Sequence, residues 1–239
     1  MGGPSEGSRE DRRRFLRTAF SAAGVALVAC ATRDDSRGGR AERDEDDDHD
    51  EEGEVTPGED LMQEHGVLER VLLVYDEAIR RIDHHEALHF EIVARAGGIV
   101  RRFVEDYHEK LEEQFVFPRL SAASREVELV AVLLRQHERG RQLTDRIMAA
   151  AHKRSGKALA PLLRSFNRMY RPHAAREDTV IFPAFRALLG RAAYRKLGEQ
   201  FEEKEEAILG DHGFESVVGE VAELERALGI HDLARFTPA

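Results

Sequence analysis

"YHEKLEEQFVFPRL", residues 107–120, and "PHAAREDTVIFPAF", residues 172–185, decide how the rest of the chain is read. Laid over one another with an offset of 65, they match His108 with His173, Glu112 with Glu177, Glu113 with Asp178, Phe117 with Phe182 and Pro118 with Pro183. Each stretch sets a histidine and a glutamate four residues apart. On a helix that spacing puts both side chains on one face, with about 5–6 Å between β-carbons. One such pair is ordinarily a surface contact, but a pair that returns with its flanking acid and its Phe-Pro needs a common cause. Pro removes a backbone donor and disfavours helical geometry in the residue before it, so Phe-Pro is expected to end or kink each helix just past the pair.

Outward from these stretches, apolar and histidine positions repeat at helical spacing in four segments. The first carries Leu61, His65, Leu68, Leu72, Tyr75, Ile79 and Ile82. The second carries Val93, Val100, Val104, His108, Leu111 and Phe115, with Gly97 and Gly98 interrupting its first half. The third runs through Val130, Leu133, His137, Thr144, Ile147 and Ala151, and the fourth through Leu159, Leu162, Phe166, Tyr170, His173 and Glu177. Each seam therefore contains a histidine on the face that should be buried. Short connections make successive helices antiparallel neighbours, so the expected fold is all-α, an up-down-up-down four-helix bundle. Two further helices are expected over Tyr194–Ile208 and Phe214–Leu228.

Four imidazoles and two carboxylates directed into a core call for positive charge, because an unpaired buried carboxylate commonly costs several kcal/mol. His65, His108, Glu112, His137, His173 and Glu177 are thus the candidate metal ligands. Imidazole with carboxylate suits iron, manganese or zinc, and the bundle contains no cysteine for a thiolate site. Six side chains exceed the three that a catalytic zinc usually takes. Two ions with the glutamates between them would divide the histidines two to each.

The composition agrees with this picture. The 239 residues include no Trp and only 7 Pro, and abundant Ala, Leu, Glu and Arg favour helix over sheet. The formal charge is −10, but residues 41–60 alone hold 12 acidic residues against one Arg, so the remainder is nearly neutral. An acidic tract including "DEDDDHDEEGE" argues against nucleic acid as a partner and reads as a solvated tether, a better account of His49 than a cation site. No nucleophilic triad or phosphate-binding glycine loop is found.

Near the amino terminus, Arg12, Arg13 and Arg14 precede Phe15 and Leu16, then a weakly apolar run reaches Leu27-Val28-Ala29-Cys30. The run is shorter than the ~20 residues that span a bilayer. It resembles a twin-arginine export signal closed by a lipoprotein cleavage box; the plainer alternative is a basic leader with a chance cysteine. Cys30 is the single cysteine, so no internal disulfide forms. The expected organisation is an export signal at 1–29, an acidic tether at 30–57 beginning at a lipidated Cys30, the bundle at 58–189 and a helical extension at 190–239. The location so implied is the periplasmic side of a bacterial membrane, held there by the lipid.

With His65, the His108/Glu112 pair, His137 and the His173/Glu177 pair in this order, residues 58–189 resemble the hemerythrin-like (HHE cation-binding) family. The resemblance implies a four-helix bundle around two iron ions, joined by carboxylates and an oxo or hydroxo group, that binds, senses or reacts with O2 or NO. The sequence departs from oxygen-carrying members by having Arg141 where they place a fifth histidine. That departure argues against reversible oxygen carriage and aligns the chain with iron-sensing and cluster-repair members. Glu69 occupies the equivalent place in the other half, so a Glu69–Arg141 pair, or Glu69 as an extra ligand, is expected near the site. Tyr75, Tyr107 and Tyr170 are read as core residues first and as donors to a bound oxygen species second. His84, His85, His89, His152, His212 and His231 receive no role. Two competing functions remain open at this point: a di-iron oxidase or peroxidase-like enzyme, and a redox-silent metal store.

Overall fold

The computed structural model describes residues 55–238. The export signal, Cys30 and nearly all of the acidic tether lie outside the described residues. Six helical rods follow, with no strand among the described residues. The first, α1 (Pro57–Asp83), opens on a capping box in which Glu59 N–H donates to the Thr56 hydroxyl and Thr56 N–H donates to Glu59. Pro57 supplies the first helical φ, and Glu59 and Asp60 meet the positive end of the helix. The last two acidic residues of the 41–60 tract thus form the first turn of α1.

The second rod, α2, spans 90–122 and changes register along its length. It is α-helical at Phe90–Ile99, π-helical at Val100–His108, α-helical at Glu109–Leu111, π-helical at Glu112–Val116 and α-helical again at Phe117–Ala122. After α3 (Val127–His152), the fourth rod, α4, spans 156–186 with a matching π-helical turn at Glu177–Ile181 between Gly156–Arg176 and Phe182–Arg186. Connections at 84–89, 123–126 and 153–155 are short, and α1 meets α2 and α4 while α3 meets α2 and α4. This closes the expected antiparallel bundle.

Phe-Pro does not end either helix at the proline; of the two outcomes expected, an end or a kink, the first does not occur. Pro118 and Pro183 instead begin new α-helical segments directly after the π turns. The Phe117 N–H reaches the Glu112 carbonyl and the Phe182 N–H reaches the Glu177 carbonyl, a step of five residues. A wide turn of this kind makes room where proline withdraws its donor and crowds the preceding carbonyls. The backbone spacing changes while the helix runs on.

The core fills the seams read from the sequence. Leu61, Leu68, Leu72, Tyr75, Val93, Val100, Phe103, Leu133, Ile147, Leu159 and Phe166 are all buried, and each large side chain contributes ~1.5–3 kcal/mol relative to exposure. Gly97 lets α2 approach α3, since a β-carbon there would stand 2.9 Å from the Met148 side chain. An aromatic ladder leads from this apolar end toward the histidines: Tyr75 meets Phe166 edge-on at 5.5 Å, Phe166 lies 4.4 Å from Tyr170, and Tyr170 lies 5.4 Å from His173.

The remaining rods, α5 (Arg191–Leu209) and α6 (Gly213–Leu228), cover α1 and α2. Tyr194 Oη accepts the Gly58 N–H at 2.8 Å, and Phe201 packs edge-on to Phe115 at 5.5 Å. Arg70 grips Glu225 through two hydrogen bonds of 2.8 and 2.6 Å. Among the described residues no helix is long and apolar enough to cross a membrane.

Candidate metal centre

All six side chains singled out from the sequence converge in the bundle interior. His65, His108, His137 and His173 are at most 4% exposed, and Glu112 and Glu177 are fully buried. They form two groups, His65–His108–Glu112 and His137–His173–Glu177, within each of which the candidate donor atoms lie within 4.8 Å of one another. Bonds of ~2.0–2.2 Å from nitrogen or oxygen to an ion place donor atoms at comparable separations with modest adjustment.

The carboxylates lie between the two groups. Glu112 Oε2 is 3.7 Å from His108 Nε2 and 3.4 Å from His137 Nε2. Glu177 Oε2 is 3.0 Å from His173 Nε2 and 3.5 Å from His65 Nε2, and its Oε1 is 3.8 Å from His137 Nε2. None of the four oxygens of Glu112 and Glu177 has a hydrogen-bond partner. Buried acceptors are normally satisfied, and a carboxylate left bare in a core is the most expensive exception.

Every imidazole is held from behind through Nδ1. His65 donates to Asp178 at 2.7 Å and His108 to Glu64 at 2.7 Å. His137 donates to Glu113 at 3.2 Å and His173 to Gln136 at 2.9 Å. A carboxylate can only accept, which fixes the proton on Nδ1 in the first three, and the Nε2 atoms face the centre. Each repeat motif thus does four jobs. Its histidine and its first acid point inward, its second acid props the lone histidine of a neighbouring rod, and its Phe stacks on that same ring. Phe182 lies 5.6 Å from His65 and Phe117 5.6 Å from His137.

Electrostatics follow from this packing. The Nε2 atoms of His65 and His108 are 3.0 Å apart, and those of His137 and His173 are 3.2 Å apart. Burial alone would lower His65, but Asp178 and Glu177 raise it to about 9; burial is likewise overcome at His137, where Glu113 and Glu177 raise it to about 9. Burial, then the nearby His65, pushes His108 well below its ordinary range, and burial lowers His173. Within each imidazole pair one ring is thus raised and the other lowered. Burial and the Glu177 charge raise Glu112, whereas Glu177, despite burial, is held low by His173, His137 and His65. The two carboxyls are pushed in opposite directions.

Several participants were not read from the sequence. Glu64 and Gln136 each directly precede a lone histidine, and that shared position was the available signal. Glu113 and Asp178 aligned in the repeat but were given no role. Next to His137, the Arg141 guanidinium donates to Glu109 at 2.7 Å and Glu113 at 2.5 Å, and Tyr170 Oη donates to Glu109 at 2.7 Å. Glu109, Glu113 and His137 also lie close enough to suggest an ion, but Arg141 already supplies the positive charge there. The expected Glu69–Arg141 pair does not form. Glu69 is about half exposed and its nearest cation is Arg171 at 3.9 Å, so it is no ligand. Tyr107 donates to Glu64 at 2.9 Å and Tyr75 is fully buried in the apolar core.

Comparison with known proteins bears on this geometry. The uncharacterized proteins Rv1995 and MT2051 of Mycobacterium tuberculosis and Mb2018 of Mycobacterium bovis are each 44% identical over 236 residues, covering 95% of this chain and 91% of the relative. No solved structure matches the chain. The family model described as the hemerythrin HHE cation binding domain matches residues 56–185, the span of the four rods with both histidine–glutamate motifs. The chain belongs to the hemerythrin HHE cation-binding family.

Proposed function

We propose that this protein holds two iron ions between its four imidazoles, with Glu112 and Glu177 shared by both, and takes O2 or NO as its small ligand. The observation that carries the two-ion part is the set of four buried carboxylate oxygens without a hydrogen bond, facing four Nε2 atoms. Manganese or zinc would suit the same donors, and iron is preferred on the family resemblance.

When bound, a pair of iron ions supplies redox change and affinity for O2 and NO. The chain's own residues hold and seclude it. Nδ1 partners fix each ring, Phe117 and Phe182 cover two of them, and a site whose groups are at most 4% exposed favours a diatomic ligand over an organic substrate. Exposing the reduced, full-length protein to O2 and then NO under an otherwise anaerobic atmosphere should change its visible absorption in an iron-dependent way. A spectrum indifferent to both gases would remove the ligand part of the proposal.

The proposal extends to location through residues outside those described: Arg12 and Arg13, the apolar run and Cys30 read as export followed by lipid attachment. Cys30→Ser should move the protein from the membrane to the soluble fraction of cells; an unchanged distribution would contradict anchoring. A second reading, turnover of O2 or peroxide, is favoured by the buried hydrogen-bonded pairs Thr144–Glu105 and Tyr170–Glu109, the latter reaching His137 through Glu109. Steady consumption of either oxidant by loaded protein separates it from binding alone.

A further inference from the structure

The two halves of the centre match in their inward groups and differ behind them. In one half both rings donate to carboxylates at 2.7 Å, His65 to Asp178 and His108 to Glu64, whose other oxygen accepts the neutral hydroxyl of Tyr107 at 2.9 Å. In the other, His173 donates to the neutral amide oxygen of Gln136 at 2.9 Å. His137 donates to Glu113 at the longer distance of 3.2 Å, and that carboxylate is divided among competitors, with Arg141 at 2.5 Å and Lys110 at 2.6 Å. A carboxylate behind an imidazole pushes electron density toward Nε2 and strengthens it as a donor; an amide, or a carboxylate already neutralised by two cations, does so less.

Resting on the two-ion reading, we infer that the ion positions are built unequal. The ion on His65 and His108 binds more tightly and leaves last, and the ion on His137 and His173 is the exchangeable one. Residues 64 and 136 occupy the same place in each half, immediately before a lone histidine, and differ by Glu against Gln. They are positioning residues, acting on the ions through His108 and His173. Because Glu and Gln are nearly isosteric, each can be converted to the other without opening a cavity.

The test is removal of cobalt(II) from full-length protein by excess chelator, followed by absorbance, in the wild type, Glu64→Gln and Gln136→Glu. Thermal unfolding of the metal-free proteins checks that both variants fold. The wild type should lose its two ions in a slow and a fast phase. Gln136→Glu should slow the fast phase about tenfold and leave the slow one, and Glu64→Gln should speed the slow phase about tenfold and leave the fast one. Loss of both wild-type ions in one phase, or both variants altering the same phase or neither, overturns the inequality while leaving two-ion binding intact. Uptake of no ion, or of one, overturns the two-ion reading and this inference with it.

Discussion

Residues 108–118 and 173–183 turn the same groups inward and share a π-helical turn after the glutamate, but their surroundings do not correspond. Behind the first motif's helix, Glu105 and Glu109 are buried, with Glu109 gripped by Arg141 and Tyr170. An offset of 65 puts Tyr170 and Ala174 at the equivalent places in the second motif. Arg141 likewise finds Glu69 as its counterpart, turned outward toward Arg171. Inner symmetry reflects a common demand, four nitrogens and two carboxylates around a centre. Outer asymmetry shows that the demand stops at the groups behind the imidazoles, where the chain is free to make the halves different.

The comparison breaks most completely at the shared carboxylates. Glu177 faces His65, His137 and His173, so Glu177→Ala should abolish binding of the ion pair, measured as metal per chain. It should also abolish the rise in melting temperature on loading, since a ligand at 100 times its Kd stabilises the fold by about 2.7 kcal/mol. A single-half ligand should do less. His108→Ala and His173→Ala should each leave about one ion per chain, retained in opposite halves.

Acidity sharpens the comparison from another side. His65 and His137, raised to about 9 from 6.5, stabilise the metal-free fold below about pH 6.5, and that contribution fades as pH rises through 9. An entering ion must displace the same protons, so its affinity increases over that interval. The melting temperature of metal-free protein should therefore fall between pH 6.5 and 9, while the increment added by zinc or cobalt(II) grows. A constant or shrinking increment would show that the imidazoles are not where ions compete with protons.

Much of this centre was legible in sequence because helical spacing and chemical cost act locally. Four seams and two repeated His–Glu pairs predict which face turns inward, and a buried carboxylate demands a counter-charge whatever the distant packing. The shared position of Glu64 and Gln136 before a lone histidine is visible in the sequence, but their role is not, since it depends on which ring a neighbouring rod presents, a fact of tertiary register. Phe-Pro was legible only as a disturbance of the helix, not as the form it takes. Proline's local rule predicts a break, but the π turns at Glu112–Val116 and Glu177–Ile181 absorb the missing donor and bring Phe117 and Phe182 onto rings of other rods. Arg141 and Glu69 were paired by the repeat's formal symmetry, which the outer residues do not obey.

Two smaller effects probe that outer region. A β-carbon on Gly140 would stand 1.9 Å from Tyr170 Oη, whereas one on Gly66 would meet nothing within 4 Å. Gly140→Ala should displace Tyr170 from Glu109 and cost about 1–3 kcal/mol. Gly66→Ala should stabilise α1 by up to about 1 kcal/mol; chemical denaturation of the metal-free proteins measures both. Glu69→Ala should change stability by less than about 0.5 kcal/mol and leave metal content unchanged, as expected of an outward side chain.

The most direct measurement is the number of ions bound per chain when metal-free, full-length protein is titrated with iron(II) under anaerobic conditions, alongside a Glu112→Ala/Glu177→Ala double variant. Two ions in the wild type, with protons released on binding, and none in the variant is the predicted result. Zero or one ion in the wild type, or two retained by the variant, would contradict a centre assembled around these shared carboxylates.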